Sequence, residues 1–391
     1  MNNFQYYNPV RIVFGEGQIQ ELANLVPKNA KVLITYGGSS AKKTGTLDEV
    51  KNALQDENRT LFEFGGIEPN PEFDTLMRAV DMVHAHNIDF LLAVGGGSVL
   101  DGTKFVALTA TLKDDTDHEQ AWQALLNRTK DIHTALPMGT VLTIPATGSE
   151  MNSGGVINNT QRQAKLPFGN PNAYPVFSIL DPAKTLTLPI RQVVNGVADA
   201  FVHVMEQYLT YPVNAKVQDA FSESLLKILI EEGEAVLKNP NDMDTRKNIM
   251  WTATMALNGL IGTGVPQDWT THMVGHELTS LYGIDHARTL TILLPAVMTV
   301  LKDSKHAKLV QYGQKVWGLT GTDDEIIEQA IAKTVEFFKS MDLPVSLTDV
   351  ELGQEAVQAV VIQLKEHGMT QLGEYRRNDL AVSEHILMQA L

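Results

Sequence analysis

Residues 88–98 read Ile-Asp-Phe-Leu-Leu-Ala-Val-Gly-Gly-Gly-Ser, an apolar run that ends in three consecutive glycines. The run has the length and composition of a buried strand, and a helical pattern follows it. Glycines at a strand-to-helix junction let the backbone approach a pyrophosphate, which then meets the free N–H groups and the positive dipole end of the helix. We therefore predict nucleotide contacts at Gly95, Gly96, Gly97 and Ser98.

A simpler interpretation fits the same junction. Glycine turns after strands are common, and Ser98 is a suitable cap for a helix. The spacing is also not the Rossmann fingerprint, because Leu100 occupies its final glycine position. Asp101 is expected in the first helical turn, where a carboxylate either suits the helix dipole or hydrogen-bonds the amide of a cofactor.

Short apolar runs recur through the first half of the chain. Besides 88–94 they lie at 11–14, 31–36, 61–64, 141–144 and 176–180, and helical patterns such as 47–55 and 72–84 separate them. This alternation predicts a parallel sheet covered on both faces, that is, a doubly wound α/β domain. The polar stretch 112–133 interrupts the alternation and is expected to be a surface excursion.

The pattern changes near residue 185. From residue 191 onward nearly every segment has helical periodicity, for example 217–237 and 324–339, and strand signals all but vanish. A length of 391 residues agrees with two domains. We predict an α/β dinucleotide-binding domain over 1–185 and an all-helical domain over 186–391.

A second glycine loop, Gly37-Gly38-Ser39-Ser40, follows the predicted strand 31–36. In many NAD-binding folds an acidic residue in this place binds the ribose 2′-hydroxyl. Here glycines and serines stand instead, followed by Lys42 and Lys43, and their hydroxyls, N–H groups and charge fit a 2′-phosphate. A serine-rich turn fits the loop equally well.

Two other polar strand ends are candidates for the same crevice. Thr143 and Thr147 belong to the stretch 142–150 at the end of one predicted strand, and Asn70 stands in Pro69-Asn70-Pro71 after another. Such motifs are common in turns, and a rigid turn alone accounts for Asn70. We keep all three as cofactor candidates because parallel strands end at one edge of a sheet.

Four metal-capable residues stand in two spaced pairs, Asp199 with His203 and His272 with His286. Asp199 and His203 are four apart, so on a helix they project from one face. His272 lies in a second helical pattern, and His286 follows the glycine at which that helix is expected to end. One carboxylate and three imidazoles form a site suited to Fe²⁺ or Zn²⁺. Packing explains any single histidine, but 4 of the 11 in the chain fall within 203–286.

Composition argues against several classes of protein. The formal net charge of -15 opposes binding to nucleic acid and to anionic membranes. The absence of cysteine removes disulfides, thiolate nucleophiles and cysteine-ligated zinc. Neither a run of 18 apolar residues nor a secretory signal is visible, so we expect a cytoplasmic protein without a membrane span.

In order and spacing these motifs resemble those of the iron-containing alcohol dehydrogenase family, over essentially the whole chain. The matching residues are Gly95-Gly-Gly-Ser98 with Asp101, the Thr-Gly-Ser-Glu block at 147–150, Asp199 with His203, and His272, His276 and His286. Segments 34–38, 65–71 and 265–269 are similar to the branch of NADPH-dependent aldehyde reductases and butanol dehydrogenases. One departure is Ile144-Pro145-Ala146, which replaces the family's small-residue block before Thr147.

The resemblance implies a homodimeric enzyme that interconverts aldehydes and primary alcohols with NADP(H) and one divalent metal, Fe²⁺ or Zn²⁺. The metal would polarise the aldehyde oxygen while NADPH delivers hydride. The metal ligands would be Asp199, His203, His272 and His286. His276, one turn from His272, would lie near the substrate and either relay a proton or merely pack, and Lys165 would approach the nicotinamide.

Polyol dehydrogenases and sugar-phosphate cyclases are the alternative class, since they resemble this fold and metal site. Their substrates often carry phosphate or carboxylate, which needs lysine or arginine near the metal. No Lys or Arg occurs between Lys247 and Arg288, and that segment contains Trp251, Trp269 and Met273 instead. A neutral, partly apolar substrate is therefore expected.

Overall fold

The two halves of the chain differ in secondary structure. The computed structural model describes residues 1–55, 58–112 and 118–391. Tyr7–Pro189 form an α/β unit, and Ile190–Leu391 form a helical unit together with Met1–Tyr6. The predicted fold class, a doubly wound α/β domain followed by an all-helical one, is confirmed.

Eight strands lie in the described part of the α/β unit, and each of the runs predicted as strands is among them. Their bounds are β1 (Arg11–Phe14), β2 (Lys31–Tyr36), β3 (Thr60–Phe64), β4 (Phe90–Gly96), β5 (Met138–Ile144), β6 (Gly154–Asn159), β7 (Ala164–Gly169) and β8 (Phe177–Leu180). Six of them form a sheet in the order β1-β8-β5-β4-β2-β3, with every pair parallel.

The helices of this unit follow the strands in alternation. They are α1 (Leu22–Leu25), α2 (Ser40–Lys43), α3 (Thr46–Leu54), α4 (Phe73–His86), α5 (Gly97–Thr109) and α6 (His118–Leu126). Part of the predicted surface excursion, residues 113–117, lies outside the described residues. The remainder contains α6, which is packed rather than wholly exposed, since its Ala121, Trp122 and Leu125 are buried.

Both faces of the sheet are covered, which is why its central strands are nearly continuous apolar runs. Val32 and Ile34 of β2 point to one face and belong to the core that includes Leu47 and Val50 of α3. Thr35 points to the other face, where its hydroxyl is 2.6 Å from that of Thr103 on α5. Successive side chains of a strand alternate in direction, so one strand contributes to both layers.

The strand order reverses between β2 and β4. The chain passes from β2 to its neighbour β3, returns across β2 to β4, and continues through β5 to β8. In open α/β sheets ligands bind at such a switch point, outside the carboxyl ends of the strands. Both glycine loops lie at these strand ends. Residues 37–38 follow β2, and residues 95–97 form the end of β4 and the start of the next helix.

The sequence did not predict the antiparallel hairpin β6–β7. Its first strand packs on α5, where a Cβ at Gly155 would lie 2.7 Å from the Phe168 ring and 3.1 Å from Cβ of Asp101. Phe168 in turn lies 6.1 Å from Phe105, measured between ring centroids. The hairpin therefore covers the helix that begins at the glycine junction.

The helical unit contains nine α-helices and, in its described residues, no strand. They are α7 (Ile190–Tyr208), α8 (Lys216–Lys238), α9 (Met243–Ala256), α10 (Thr270–Tyr282), α11 (His286–Val300), α12 (His306–Val316), α13 (Asp323–Ser340), α14 (Gln354–Glu366) and α15 (Leu380–Gln389). The chain's longest apolar stretch forms the buried helix α11. Within the described ranges, no helix has both the length and the apolar character needed to cross a membrane.

Candidate metal centre and cofactor site

Helix α7 presents two of the predicted metal ligands. Asp199 and His203 lie one turn apart on it and are 3% and 4% exposed. The helix is amphipathic with small residues around Asp199, so this face packs inside the unit rather than in solvent. A carboxylate buried to this degree requires a partner of opposite charge.

The other predicted ligands come from α10 and α11. His272 lies in the first turn of α10, and that helix ends as expected at Gly283, whose φ of +66° is the left-handed C-cap conformation. Two residues later Asp285 is the N-cap of α11, and His286 is the first residue of this helix. After this turn the His286 ring lies 5.2 Å from the His272 ring, measured between centroids.

The structure brings the four predicted ligands together. Asp199, His272 and His286 each offer a donor atom within 4.8 Å of the others. The Asp199 Oδ1 atom is 3.6 Å from His203 Nε2, 3.8 Å from His272 Nε2 and 3.8 Å from His286 Nε2. In a tetrahedral site with metal–ligand bonds of about 2.1 Å, neighbouring donor atoms are about 3.4 Å apart. The donor set therefore fits a divalent cation, with small inward movements of the side chains.

Charge and hydrogen bonding agree with this fit. Among the described residues, Asp199 Oδ1 and His272 Nε2 are buried without a hydrogen-bond partner. Burial alone would raise the pKa of Asp199, but the surrounding imidazoles hold it well below its usual range. Burial alone would lower the pKa of His272, but the carboxylates of Glu206 and Asp199 raise it to about 9. A divalent cation would replace the proton as the positive partner of this carboxylate.

Trp269 and His276 lie next to the four ligands. The centroid of the Trp269 ring is 5.3 Å from that of His272 and 6.2 Å from that of His203. His276 is 2% exposed, and its ring centroid is 6.2 Å from that of His272 and 5.1 Å from that of His286. The indole of Trp269 therefore forms one side of the candidate site, and the imidazole of His276 lies beside two of the predicted ligands.

Glu206 is a contact of the site that sequence reasoning missed. It is 3% exposed, and its Oε2 atom contacts Nδ1 of His272, the ring nitrogen opposite the proposed metal donor. The available signal was its position, seven residues after Asp199, because residues at i, i+4 and i+7 share one helix face. From the sequence alone, a glutamate at the end of a long helix is expected to be exposed to solvent, unless the helix face that carries it is already known to be buried.

Asp285 is a second missed contact. Its Oδ2 atom accepts hydrogen bonds from Arg191 Nη2 at 2.7 Å and from Asn195 Nδ2 at 3.2 Å, both on α7. It thereby ties the residue before His286 to the helix that carries Asp199. Helix α7 therefore carries two of the predicted ligands and holds the two segments that supply the others, through Glu206 and Asp285.

In the α/β unit, the glycines at the switch point are required by packing. A Cβ at Gly95 would lie 2.6 Å from Val99 Cγ2, one at Gly96 3.0 Å from Ile144 Cβ, and one at Gly97 2.5 Å from Thr147 Cγ2. Helix α5 begins directly at Gly97, so its free N–H groups point out of the end of β4. The predicted pyrophosphate contact is consistent with this geometry and stays a prediction.

Ser98 and Asp101 have different positions from those expected. Gly96, not Ser98, is the N-cap of α5, and Ser98 Oγ instead accepts a hydrogen bond from Asn70 N at 3.3 Å. Asp101 is the fifth residue of α5, so the prediction of a first-turn position was wrong; the helix starts earlier because Gly97 is already helical. Its carboxylate accepts hydrogen bonds from Ser149 Oγ at 2.6 Å and from Val156 N at 2.9 Å.

Lys104 joins the same network, although no role was predicted for it. It is fully buried, and its ammonium donates to Ser149 Oγ at 2.8 Å, Asn152 Oδ1 at 2.9 Å and the Gly154 carbonyl at 2.8 Å. Burial lowers the pKa of Lys104 to about 8. The network attaches the 147–150 block and the hairpin to α5, which places Thr147 against Gly97.

The loop after β2 has the open character that a phosphate contact needs. Gly38, Ser39, Ser40 and Lys42 are exposed, and a Cβ at Gly38 would meet no atom within 4 Å. Gly37 is tighter, because a Cβ there would lie 3.3 Å from the Ile67 carbonyl oxygen. The Lys42 ammonium lies 5.0 Å from the centroid of the Tyr36 ring, at the end of the strand.

Asn70 and Lys165 meet each other. Asn70 has the left-handed backbone conformation at φ +60°, and its Oδ1 accepts a hydrogen bond from Lys165 Nζ at 2.9 Å. Lys165 lies on β7 and is 6% exposed. Thr143 is half-buried near the end of β5, beside β4. The predicted cofactor residues thus gather at the carboxyl ends of β2, β3, β4 and β5 and on the hairpin.

Models of known protein families match both halves of the chain. The family model for iron-containing alcohol dehydrogenase matches residues 9–182, and the model for the C-terminal part of the Fe-containing alcohol dehydrogenase family matches residues 193–386. The chain belongs to the iron-containing alcohol dehydrogenase family. The resemblance inferred from the motifs is thereby confirmed.

Two members of the family and one solved structure show how similar the chain is to known proteins. It is 54% identical to the NADPH-dependent aldehyde reductase YqhD of Escherichia coli over 99% of both chains. A solved structure of E. coli YqhD superposes with a TM-score of 0.97 at 53% identity, covering 100% of this chain and 99% of that one. The probable NADH-dependent butanol dehydrogenase 1 of Bacillus subtilis is 38% identical over 94% of this chain and 95% of its own.

Proposed function

We propose that this chain is a metal-dependent NADP(H) oxidoreductase that interconverts aldehydes and primary alcohols. The observation that carries the proposal is the buried Asp199 Oδ1 atom, which faces three imidazole nitrogens at 3.6–3.8 Å. It is supported by 54% identity, over nearly the whole chain, to an NADPH-dependent aldehyde reductase.

The four ligand side chains would hold either Fe²⁺ or Zn²⁺, because one carboxylate and three imidazoles suit both ions. When bound, the metal supplies Lewis-acid polarisation of a carbonyl oxygen and the nicotinamide supplies the hydride. Three of the residues that would hold the ion, Asp199, His203 and His272, are at least 95% buried, so they would shield it from bulk water.

His276 is the proposed proton carrier. Its ring lies beside those of His272 and His286, within the same buried cluster. A general acid or base that moves a proton shapes the dependence of rate on pH. An unchanged pH–rate profile in His276→Ala would assign His276 to packing alone.

The proposed cofactor is NADP(H). It would meet Gly37, Gly38, Ser39 and Ser40 at the 2′-phosphate, and the junction at 95–98 at the pyrophosphate. Asn70, Asp101, Thr143, Thr147 and Lys165 complete the proposed set. The support is the position of both glycine loops at the switch point of the sheet and the cofactor named for the 54% identical relative.

A neutral, partly apolar aldehyde is the proposed substrate. Trp269 flanks the ligands, and residues 248–287 contain no lysine or arginine that would bind a phosphate. Oxidation or cyclisation of a sugar phosphate is the competing activity, and faster turnover of such a substrate than of butanal would favour it.

The test measures metal content and NADPH oxidation together. We expect the purified wild type to hold one Fe²⁺ or Zn²⁺ per chain and to oxidise NADPH in the presence of short aldehydes. His272→Ala and His286→Ala should lose metal and activity together while still binding NADPH, because three ligands hold the ion poorly and the α/β unit is untouched. Full metal content and normal turnover in both variants would contradict the proposed ligand set.

Two further properties belong to the proposal. We propose a homodimer in the cytoplasm, on the basis of the family resemblance and the absence of cysteine. Light scattering of the purified protein gives the mass to compare with a 43.0 kDa chain.

A further inference from the structure

Glu206 occupies an unusual place between two helices that supply metal ligands. It lies near the end of α7, on the face that also carries Asp199 and His203, and is 3% exposed. No described cation forms an ion pair with it other than the ring of His272. A buried carboxylate in such a position needs several donors to be stable.

Those donors come from the first turn of α10. Glu206 Oε1 accepts hydrogen bonds from Thr271 N at 2.6 Å and from His272 N at 3.4 Å, while Oε2 contacts His272 Nδ1. The first backbone N–H groups of a helix have no partner within the helix, and a carboxylate there is favoured by the helix dipole. A side chain of α7 therefore caps α10.

The same contact fixes which nitrogen of His272 can bind a metal. A carboxylate only accepts hydrogen bonds, so Nδ1 must carry the hydrogen, and the lone pair of neutral His272 is then on Nε2. Nε2 is the atom that faces Asp199 Oδ1 at 3.8 Å. Glu206 thus selects both the tautomer and the direction of the ring.

The position of Glu206 is itself anchored. Its backbone carbonyl accepts a hydrogen bond from Asp268 N at 2.9 Å, and Asp268 Oδ1 accepts one from Thr270 N at 2.7 Å. Lys305 Nζ lies 2.6 Å from Asp268 Oδ2 and is nearly fully buried. Glu206 and Asp268 together satisfy the N–H groups of the first three residues of α10.

We propose that Glu206 is a positioning residue of the metal centre: it holds His272 in the metal-binding tautomer and sets the start of α10 against α7. This inference rests on the proposed function, because it assumes that the four ligands bind a metal. It assigns a metal-affinity role to a carboxylate that touches neither the ion nor the substrate.

Glu206→Gln separates this role from simple packing. Glutamine has nearly the same shape, and its single carbonyl oxygen can still accept from the backbone N–H groups of α10. Its NH2 group would then face Nδ1 of His272, which favours the tautomer with hydrogen on Nε2 and removes the metal-binding lone pair. We expect Zn²⁺ affinity to fall about 10–100-fold, the usual effect of losing such a partner of a ligating histidine.

The measurement is Zn²⁺ binding to the metal-free full chain, by competition with a chromophoric chelator at neutral pH. Glu277→Gln is the matched control, since Glu277 is a 2% exposed carboxylate on α10 that contacts His367 Nδ1 at 2.8 Å. It should keep wild-type Zn²⁺ affinity. The unfolding free energy of each metal-free variant is recorded as well, because a merely structural role would lower that quantity and leave Zn²⁺ affinity unchanged.

The outcomes distinguish this inference from the proposed function. A wild type that binds one Zn²⁺ and a Glu206→Gln variant that binds it equally well would overturn the inference alone. An equal loss of affinity in Glu277→Gln would also overturn it, because the effect would then be general to buried carboxylates. A wild type without any Zn²⁺ site would overturn the proposed function, and this inference with it.

Discussion

Among single residues, the predicted metal ligands could be selected from the sequence, whereas the residues that hold them in place could not. Spacing on a helix identifies Asp199 with His203, and a glycine stop places His286 after the helix of His272. Glu206 and Asp285 act through contacts with residues that are 65–66 and 90–94 positions away in the chain. No local pattern encodes such contacts, so they appear only when the helices are packed.

Gly38 is the residue at which cofactor preference is best tested. We expect Gly38→Asp to lower kcat/KM with NADPH about 10–100-fold and to shift the preference toward NADH, because a carboxylate repels a 2′-phosphate and accepts from a ribose hydroxyl. Gly37→Asp would add a steric effect to the effect of charge, since its Cβ would lie 3.3 Å from the Ile67 carbonyl oxygen. A Cβ at Gly38 would meet no atom within 4 Å.

Gly38→Asn is the control for this measurement, because it adds the same bulk without charge. All variants are compared at one salt concentration, since salt screens contacts to phosphate. Equal use of both cofactors by the wild type, or the same loss in Gly38→Asn as in Gly38→Asp, would contradict the phosphate assignment of the loop.

At the scale of elements, periodicity predicted the sheet and most helices, and it failed for the hairpin β6–β7. Residues 154–159 begin with two glycines, and the turn passes through Gln163 at φ +48°, so neither alternation nor a glycine turn marks the hairpin. Gly155 is there because Phe168 and Asp101 approach within 3.1 Å of its Cβ position. A strand that packs closely against a helix needs small residues, and such residues do not produce the alternation of apolar and polar side chains that predicts a strand.

Helix α7 is the element that holds the proposed metal centre together, because its Glu206 contacts α10 and its Arg191 and Asn195 contact Asp285. We expect Asp285→Ala to speed the loss of Zn²⁺ to a chelator about fivefold, because the residue before His286 would lose its hydrogen bonds to Asn195 and Arg191. Arg191→Ala should have a smaller effect, since its side chain is 57% exposed and the hydrogen bond between Asn195 and Asp285 remains. Identical chelator kinetics in wild type and Asp285→Ala would show that His286 is held by other contacts.

For the molecule as a whole, the formal net charge is -15. Several charged side chains are nevertheless buried, and Lys305, Asp268 and Glu374 form one such group in the helical unit. Lys305 Nζ lies 2.6 Å from Asp268 Oδ2 and 3.1 Å from both carboxylate oxygens of Glu374. Although burial opposes its ionisation, Asp268 has a pKa lowered to about 2 by Lys305. Two carboxylates share a single ammonium, so one of them retains a proton more readily than an exposed carboxyl does.

That carboxyl is Glu374, and it makes stability depend on pH. Burial and the nearby Asp268 raise the pKa of Glu374 to about 7, whereas the unfolded chain releases this proton near the ordinary value of 4.5. Above that value the unfolded state binds fewer protons than the folded state, so this group lowers the free energy of unfolding as pH rises toward 7, after which its contribution is constant.

We expect Glu374→Gln, which resembles the protonated form at every pH, to remove this decline. Urea unfolding at pH 5 should therefore give similar stabilities for both proteins, and at pH 8 the variant should be the more stable. A variant that loses stability as steeply as the wild type between these pH values would show that Glu374 is ionised in the folded protein throughout.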